Sequence, residues 1–178
     1  GEEKEFSFML GTEIGNDKVK GLIDKYSSQN IIESELKTVT KKWDKELSTL
    51  KIKTKDKSFD NVMNGWYLYQ ALSSRINAKA GFYQVGGAFG YRDQLQDATN
   101  LAIIDEELAK KQIVTNARHQ FEQGDVLHWW HEIIMMGLRS RYKDDFLWLV
   151  FAVNKYITIS GDYSFLDEKI EFSLGQTL

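Results

Sequence analysis

Apolar residues recur at helical spacing through most of the chain, and the pattern changes character along it. Val19, Leu22, Ile23 and Tyr26 follow the capping pair Asn16-Asp17, and Ile32, Leu36, Val39, Trp43, Leu47 and Leu50 repeat the spacing between Asn30 and Leu50. Lysines and glutamates fill the other positions, so two amphipathic helices are predicted, the second a long one. Glu5 to Leu10, EFSFML, alternates polar and apolar residues and predicts a short N-terminal strand or an extended arm. The lysine-rich stretch Lys51–Lys57 then divides a lead-in segment, 1–55, from a second region, 56–178.

In that second region the pattern thickens. Phe59, Val62, Met63, Trp66, Leu68, Tyr69, Leu72 and Ile76 lie all round one helix from Ser58 to Asn77, which predicts burial on more than one side. Asp93 to Ile103 follows as helix. Asp105 caps another, Glu106 to Gln120, with Leu108, Ile113, Ala117 and Phe121 inward and lysines outward. Gly124-Asp125 breaks it, Asp144 or Asp145 opens a strongly apolar helix through Ile159, and Gly161-Asp162 turns into a last short one. The fold class is mainly α, with inner apolar and outer amphipathic helices joined by long loops.

Composition narrows the function classes. With 178 residues, 42% hydrophobic and 13% aromatic, the chain is long enough for one domain with a sizeable core, or for a segment of a larger one. A net charge of -3, with cations interspersed among acids, gives no electrostatic case for nucleic acid. No apolar run approaches the length of a membrane span and no export signal is present, so a cytoplasmic location is expected. Cysteine is absent, which removes disulfides, thiol catalysis and thiolate metal sites. Proline is absent too, where average usage would supply roughly nine, so rigid helix starts and loop restraints are missing.

Candidate chemistry concentrates in two stretches. Gly81 to Asp97, GFYQVGGAFGYRDQLQD, is a loop of glycines (Gly81, Gly86, Gly87, Gly90) and flat side chains (Phe82, Tyr83, Phe89, Tyr91) that runs into a helix. There Arg92 is followed by Asp93 and Asp97, four apart and on one helical face, a set suited to gripping vicinal hydroxyls. The same residues also suit a loop whose aromatics fill a core and whose Arg-Asp pair caps a helix. The second stretch holds His128, Trp129, Trp130 and His131, a sugar platform or an aromatic plug, then Arg139, Arg141, Tyr142 and the pair Asp144-Asp145. The two arginines fit an acceptor sugar, phosphate or plain surface charge. An aspartate pair ahead of an apolar helix is, on its residues alone, an N-cap with a dipole partner. Two histidines three apart lack a third ligand, so no metal is expected, and His119 is a helix-face residue without a special role.

Three blocks go further: Asn64 to Asp97, Asn116 to His131 (NARHQFEQGDVLHWWH) and Gly137 to Trp148 (GLRSRYKDDFLW). With FMLG at Phe8–Gly11 and FSLGQTL at Phe172–Leu178, they resemble, in order, the glycoside hydrolase family 94 phosphorylases. The likeness lies in the branch of cyclic β-1,2-glucan synthases and β-1,2-oligoglucan phosphorylases. The resemblance implies part of an (α/α)6 barrel preceded by a helical linker and a short N-terminal strand. It implies inverting phosphorolysis of β-1,2-linked gluco-oligosaccharides to glucose 1-phosphate, with inorganic phosphate as co-substrate and no cofactor. An inverting hydrolase needs a second carboxylate to activate water; phosphate arrives anionic, so one acid suffices.

By the same resemblance that acid lies in Asp144-Asp145. Asp144 is taken as the acid and Asp145 as its orienting or capping neighbour. Arg92 and Asp93 match the residues that hold the glucosyl hydroxyls, and Asp97 is a weaker candidate for the same role. Tyr83, His128, Trp129, Trp130, Arg139, Arg141 and Tyr142 complete the expected substrate-binding set. For Asp144 to act near neutral pH, burial among Tyr142, Trp148, Trp129 and Trp130 is expected to raise its pKa. Part of a barrel leaves apolar faces unpaired, so a homo-oligomer or the remainder of a larger polypeptide is the expected partner. The alternative function is a non-catalytic helical scaffold or carbohydrate-binding fragment.

Overall fold

Helices form where the apolar spacing predicts them in the computed structural model, which describes residues 1–4, 6–78, 87–132 and 136–174. The chain divides into two units, Gly1–Lys45 and Glu46–Leu178. In the first, α1 (Asn16–Tyr26) leads into α2 (Gln29–Leu47), and a Lys25–Glu35 ion pair at 3.0 Å ties the two helices. The predicted strand does not form. Residues 6–10 are irregular, with Phe8 96% exposed, because alternation without a neighbouring strand offers no ladder to complete.

The second unit opens at Asp56, whose carboxylate accepts the Ser58 and Phe59 N–H groups and caps α3 (Lys57–Asn61). Helical backbone continues through a π-helical turn, Val62–Trp66, then α4 (Tyr67–Gln70), and a second π-helical turn, Ala71–Asn77. Burial on several sides is not realised among the described residues. Leu72 and Ile76 are buried, facing α5, while Phe59, Trp66 and Tyr67 stay exposed, because α5 packs against one side of the run.

β1 (Phe89–Gly90) runs directly into α5 (Tyr91–Leu101), whose Tyr91, Leu95, Ala98 and Leu101 form a fully buried stripe at helical spacing. That stripe packs on α6 (Glu106–Ala117), capped by Asp105 through the Leu108 N–H, and on α7 (Asp145–Ser160). Asn116 secures the α5–α6 packing from inside, donating its amide to the Tyr91 carbonyl at 2.8 Å. Gly161, with φ 72°, ends α7 in the left-handed conformation, and its N–H reaches the Ile157 carbonyl. Lys110 then holds the short 3-10 helix Tyr163–Asp167 by ion pairs to Asp162 at 3.0 Å and Glu168 at 2.6 Å. The outer side of α7, with Leu147, Val150 and Phe151, is exposed. Among the described residues, no helix is long and apolar enough to cross a membrane.

Between α6 and α7 the chain makes an element that the sequence pattern does not announce. β2 (Val126–His131) and β3 (Met136–Ser140) pair antiparallel, and β1 joins the other edge of β2, giving the order β1-β2-β3. Trp130 sits opposite Gly137, and a Cβ on Gly137 would lie 2.8 Å from the Trp129 carbonyl oxygen and 3.0 Å from the Trp130 Cβ. Neither atom is the far end of a flexible side chain. Gly137→Ala is therefore expected to cost about 1–3 kcal/mol as the hairpin shifts to admit the methyl group. Urea unfolding of the variant checks this, and an unchanged midpoint would contradict it.

Candidate active site

Three elements meet at the start of α7: the first turn of α5, the hairpin, and Asp144-Asp145. Arg92, one residue into α5, donates Nη1–H to Asp144 Oδ2 at 2.9 Å across 52 positions of sequence. Asp144 stands at the N-cap of α7, but its carboxylate makes no side-chain cap and turns to Arg92 instead. Both side chains are about half exposed, 45% for Arg92 and 50% for Asp144. Arg92 holds the Asp144 carboxyl below the usual carboxylate range, outweighing a smaller opposing effect of burial. The expected elevation by aromatic burial is thus corrected: an open position beside a guanidinium favours the ionised form.

Burial acts on the neighbour. Asp145 is 1% exposed, its Oδ2 accepts from His128 Nδ1 at 2.8 Å, and the Ser140 hydroxyl lies 3.4 Å away. Burial pushes the Asp145 carboxyl up, and the His128 hydrogen bond pulls against it. Among the described residues, Asp145 Oδ1 and the Tyr91 hydroxyl are buried without a hydrogen-bond partner. Burial, then the Asp145 charge, drives the Tyr91 phenol well above its ordinary range. Helix rotation separates the two aspartates: successive residues point about 100° apart, so one faces solvent and the other the hairpin.

His128 therefore serves the buried carboxylate, with its ring tilted against the exposed Tyr142 at 4.7 Å. Trp130 lies in the core, stacked on Phe89 at 5.1 Å and on His119 at 3.9 Å, so it presents no open face for a sugar. His119, read from sequence as an unremarkable helix-face residue, is one of its packing partners, and burial lowers its pKa. Trp129, on the other side of the strand, is partly exposed and edge-on to His131.

Arg139 is engaged within the hairpin. Its guanidinium forks onto Asp125 at 2.5 and 2.7 Å, donates to Gln123 Oε1 at 2.9 Å, and lies over the Phe121 ring. This pairing holds the Asp125 carboxyl below its ordinary range. Arg139→Met is expected to lower the thermal unfolding midpoint, because it removes the fork onto Asp125 and the packing over Phe121. An unchanged midpoint would contradict this. Arg141 is exposed just beyond β3.

Asp93 and Asp97 reach toward the preceding helical run, where Arg75 meets both, at 3.4 and 3.3 Å. Burial pushes the Asp97 carboxyl up to about 6, with Arg75 opposing. Tyr83 lies outside the described residues. Sequence reasoning missed Arg75 and Ser140; a lone cation in an otherwise apolar helix was the available signal for the first. Among the described residues, no three His, Asp or Glu side chains are grouped to hold a metal ion.

A family model described as the glycosyl hydrolase 94 superfamily, catalytic domain, matches residues 42–177, a span that contains Arg75, Arg92, His128, Asp144 and Asp145. The chain belongs to the glycosyl hydrolase 94 superfamily. Among its relatives, cyclic beta-(1,2)-glucan synthase NdvB of Rhizobium meliloti (strain 1021) is 36% identical over 178 residues, which is 100% of this chain and 6% of that protein. N,N'-diacetylchitobiose phosphorylase of Vibrio proteolyticus is 29% identical over 98% of this chain and 25% of its own length. Solabiose phosphorylase of Paenibacillus borealis is 27% identical over 97% of this chain and 21% of its own length. The glycosyl hydrolase 94 chain described here thus spans a quarter or less of each of these relatives.

Proposed function

We propose that this chain supplies the glucosyl grip and the general acid of a glycoside phosphorylase, acting on β-1,2-linked gluco-oligosaccharides with inorganic phosphate as co-substrate. The observation that carries the reading is the Arg92–Asp144 contact, which joins the sugar-gripping turn of α5 to the aspartate pair of α7. The superfamily and the phosphorylases among its relatives support the reaction class. Likeness to a cyclic beta-(1,2)-glucan synthase supports the linkage. On this reading the helices belong to an (α/α)6 barrel, and a second copy or further polypeptide covers the open side of α7.

In the reaction, a phosphate oxygen attacks the anomeric carbon from the face opposite the bond that breaks. The proton of Asp144 passes to the departing glycosidic oxygen, releasing glucose 1-phosphate of inverted configuration and a glucan shorter by one unit. Asp144 is the donor because its side chain is half exposed, whereas Asp145 at 1% cannot touch a sugar. Arg92 keeps Asp144 ionised in the free chain. Glucosyl hydroxyls that occupy Arg92 relieve that pairing and raise the proton affinity of Asp144 where it is needed.

That same ionised state favours a second reading, a carbohydrate-binding helical scaffold that turns nothing over. Glucose 1-phosphate release from β-1,2-gluco-oligosaccharides and phosphate, measured on concentrated protein with and without Asp144→Asn, tests the proposal. Release that depends on Asp144 supports catalysis. Sugar affinity without release in either protein supports the scaffold.

A further inference from the structure

Arg75 breaks the apolar pattern of the helical run that carries it, in the π-helical turn Ala71–Asn77, a distortion that recurs at functional sites. Its side chain is 32% exposed and reaches α5, placing Nη1 3.4 Å from Asp93 Oδ1 and Nε 3.3 Å from Asp97 Oδ2. Asp93 and Asp97 are one helical turn apart, so one guanidinium spans both carboxylates. The main chain adds a tie: the Arg75 carbonyl accepts from Gln94 Nε2 at 3.4 Å, and Gln94 Oε1 accepts the Gly90 N–H at 2.6 Å. Arg75 is thereby attached, by side chain and backbone, to the turn of α5 that presents Arg92 and Asp93.

We propose that Arg75 is a positioning residue for sugar binding: by sharing one guanidinium between Asp93 and Asp97, it holds the Asp93 carboxylate where it accepts hydrogen bonds from glucosyl hydroxyls. The inference rests on the sugar-grip reading of Arg92 and Asp93. Arg75 itself need not touch the sugar.

The surroundings of Asp97 show why a cation is required. Its Oδ2 is buried and, among the described residues, has no hydrogen-bond partner, only the ion pair with Arg75. Burial and the Asp93 charge both favour the protonated form, and Arg75 opposes them. Arg75 faces it from the helical run and Asp93 from its own helix, and Arg75, Asp97 and Tyr67 line a common cavity of about 440 Å³. A proton on Asp97 would remove one of the two anchors of the guanidinium and free it to swing.

The test uses the 178-residue chain, with Arg75→Met to remove the charge and Arg75→Lys to keep it on a head group that cannot fork. Two quantities are followed: affinity for a β-1,2-linked glucose disaccharide at pH 7.5, and the titration midpoint of the Asp97 carboxyl by carbon-detected NMR. Arg75→Met is expected to weaken disaccharide binding about tenfold and to move the Asp97 midpoint up by about one pH unit. Arg75→Lys is expected to leave that midpoint close to the parent value yet still lose most of the affinity. An Arg75→Lys protein that binds the disaccharide as tightly as the parent overturns the inference, because a point charge would then suffice. Should Arg75→Met fail to fold, Arg75→Lys decides alone. A parent chain with no affinity for the disaccharide sinks the sugar-grip reading and this inference together, whereas a binding parent with unaffected variants sinks this inference alone.

Discussion

If the proposed function holds, Asp144→Asn is expected to lower glucose 1-phosphate release from β-1,2-gluco-oligosaccharides by roughly 10²- to 10⁴-fold, the range over which a positioned general acid acts. The substitution keeps the shape of the side chain, and its amide oxygen still accepts from Arg92, so the start of α7 and the glucosyl grip remain in place. What is lost is the transferable proton. Disaccharide affinity should therefore stay within about threefold of the parent while turnover collapses, because the acid contributes chiefly to the transition state. A variant that keeps its turnover removes Asp144 from the chemistry. One that loses turnover and affinity together points to a role in binding.

His128→Ala, by contrast, is expected to destabilise the folded chain. Asp145 is buried under the hairpin and His128 supplies its 2.8 Å contact, so the truncation leaves a desolvated carboxylate with only the distant Ser140 hydroxyl. Leaving a buried polar group without its hydrogen-bond partner costs about 1–3 kcal/mol, and because the group here is a carboxyl a value near the upper end is expected. The effect depends on pH. Burial raises the Asp145 carboxyl above its unfolded value, so its ionisation works against the native state, and the stability it lends at low pH is lost as pH rises through the folded value. Removing His128 takes away the main opposing interaction and enlarges that loss. The deficit of His128→Ala is thus expected to grow as pH rises through the folded-state value of Asp145 and to shrink below it, where the carboxyl keeps its proton. Urea unfolding across a pH series measures it, and a deficit independent of pH would refute the buried-carboxylate account.

These two residues also show how far local pattern reaches in this chain. Asp105 as a helix cap, Gly161 as a helix stop, and the amphipathic pattern of α2 were all legible, because each is settled by interactions within a few residues. The blocks around Arg92 and Asp144-Asp145 were legible as chemistry through their resemblance to a family, which a family model covering residues 42–177 supports. The hairpin was not. VLHWWH lacks alternation by residue type, since histidines and indoles occupy both faces, and its pairing with MGLRS and with Phe89-Gly90 is a long-range event.

Local information settled which residue types stand ready at the head of α5 and the head of α7, and which stretches wind into helices. Packing settled which member of each set is spent on structure. Trp130 and Arg139 were read as ligand contacts, yet Phe89 and His119 cover the one and Asp125 holds the other. Asp144 and Asp145 are identical in type and adjacent, and their unlike environments come from where Arg92 and His128 arrive in space. Spacing along a chain fixes the direction in which a side chain leaves its helix. Burial and charge at its tip depend on groups 17 and 52 positions away, and those become neighbours only when the helices pack.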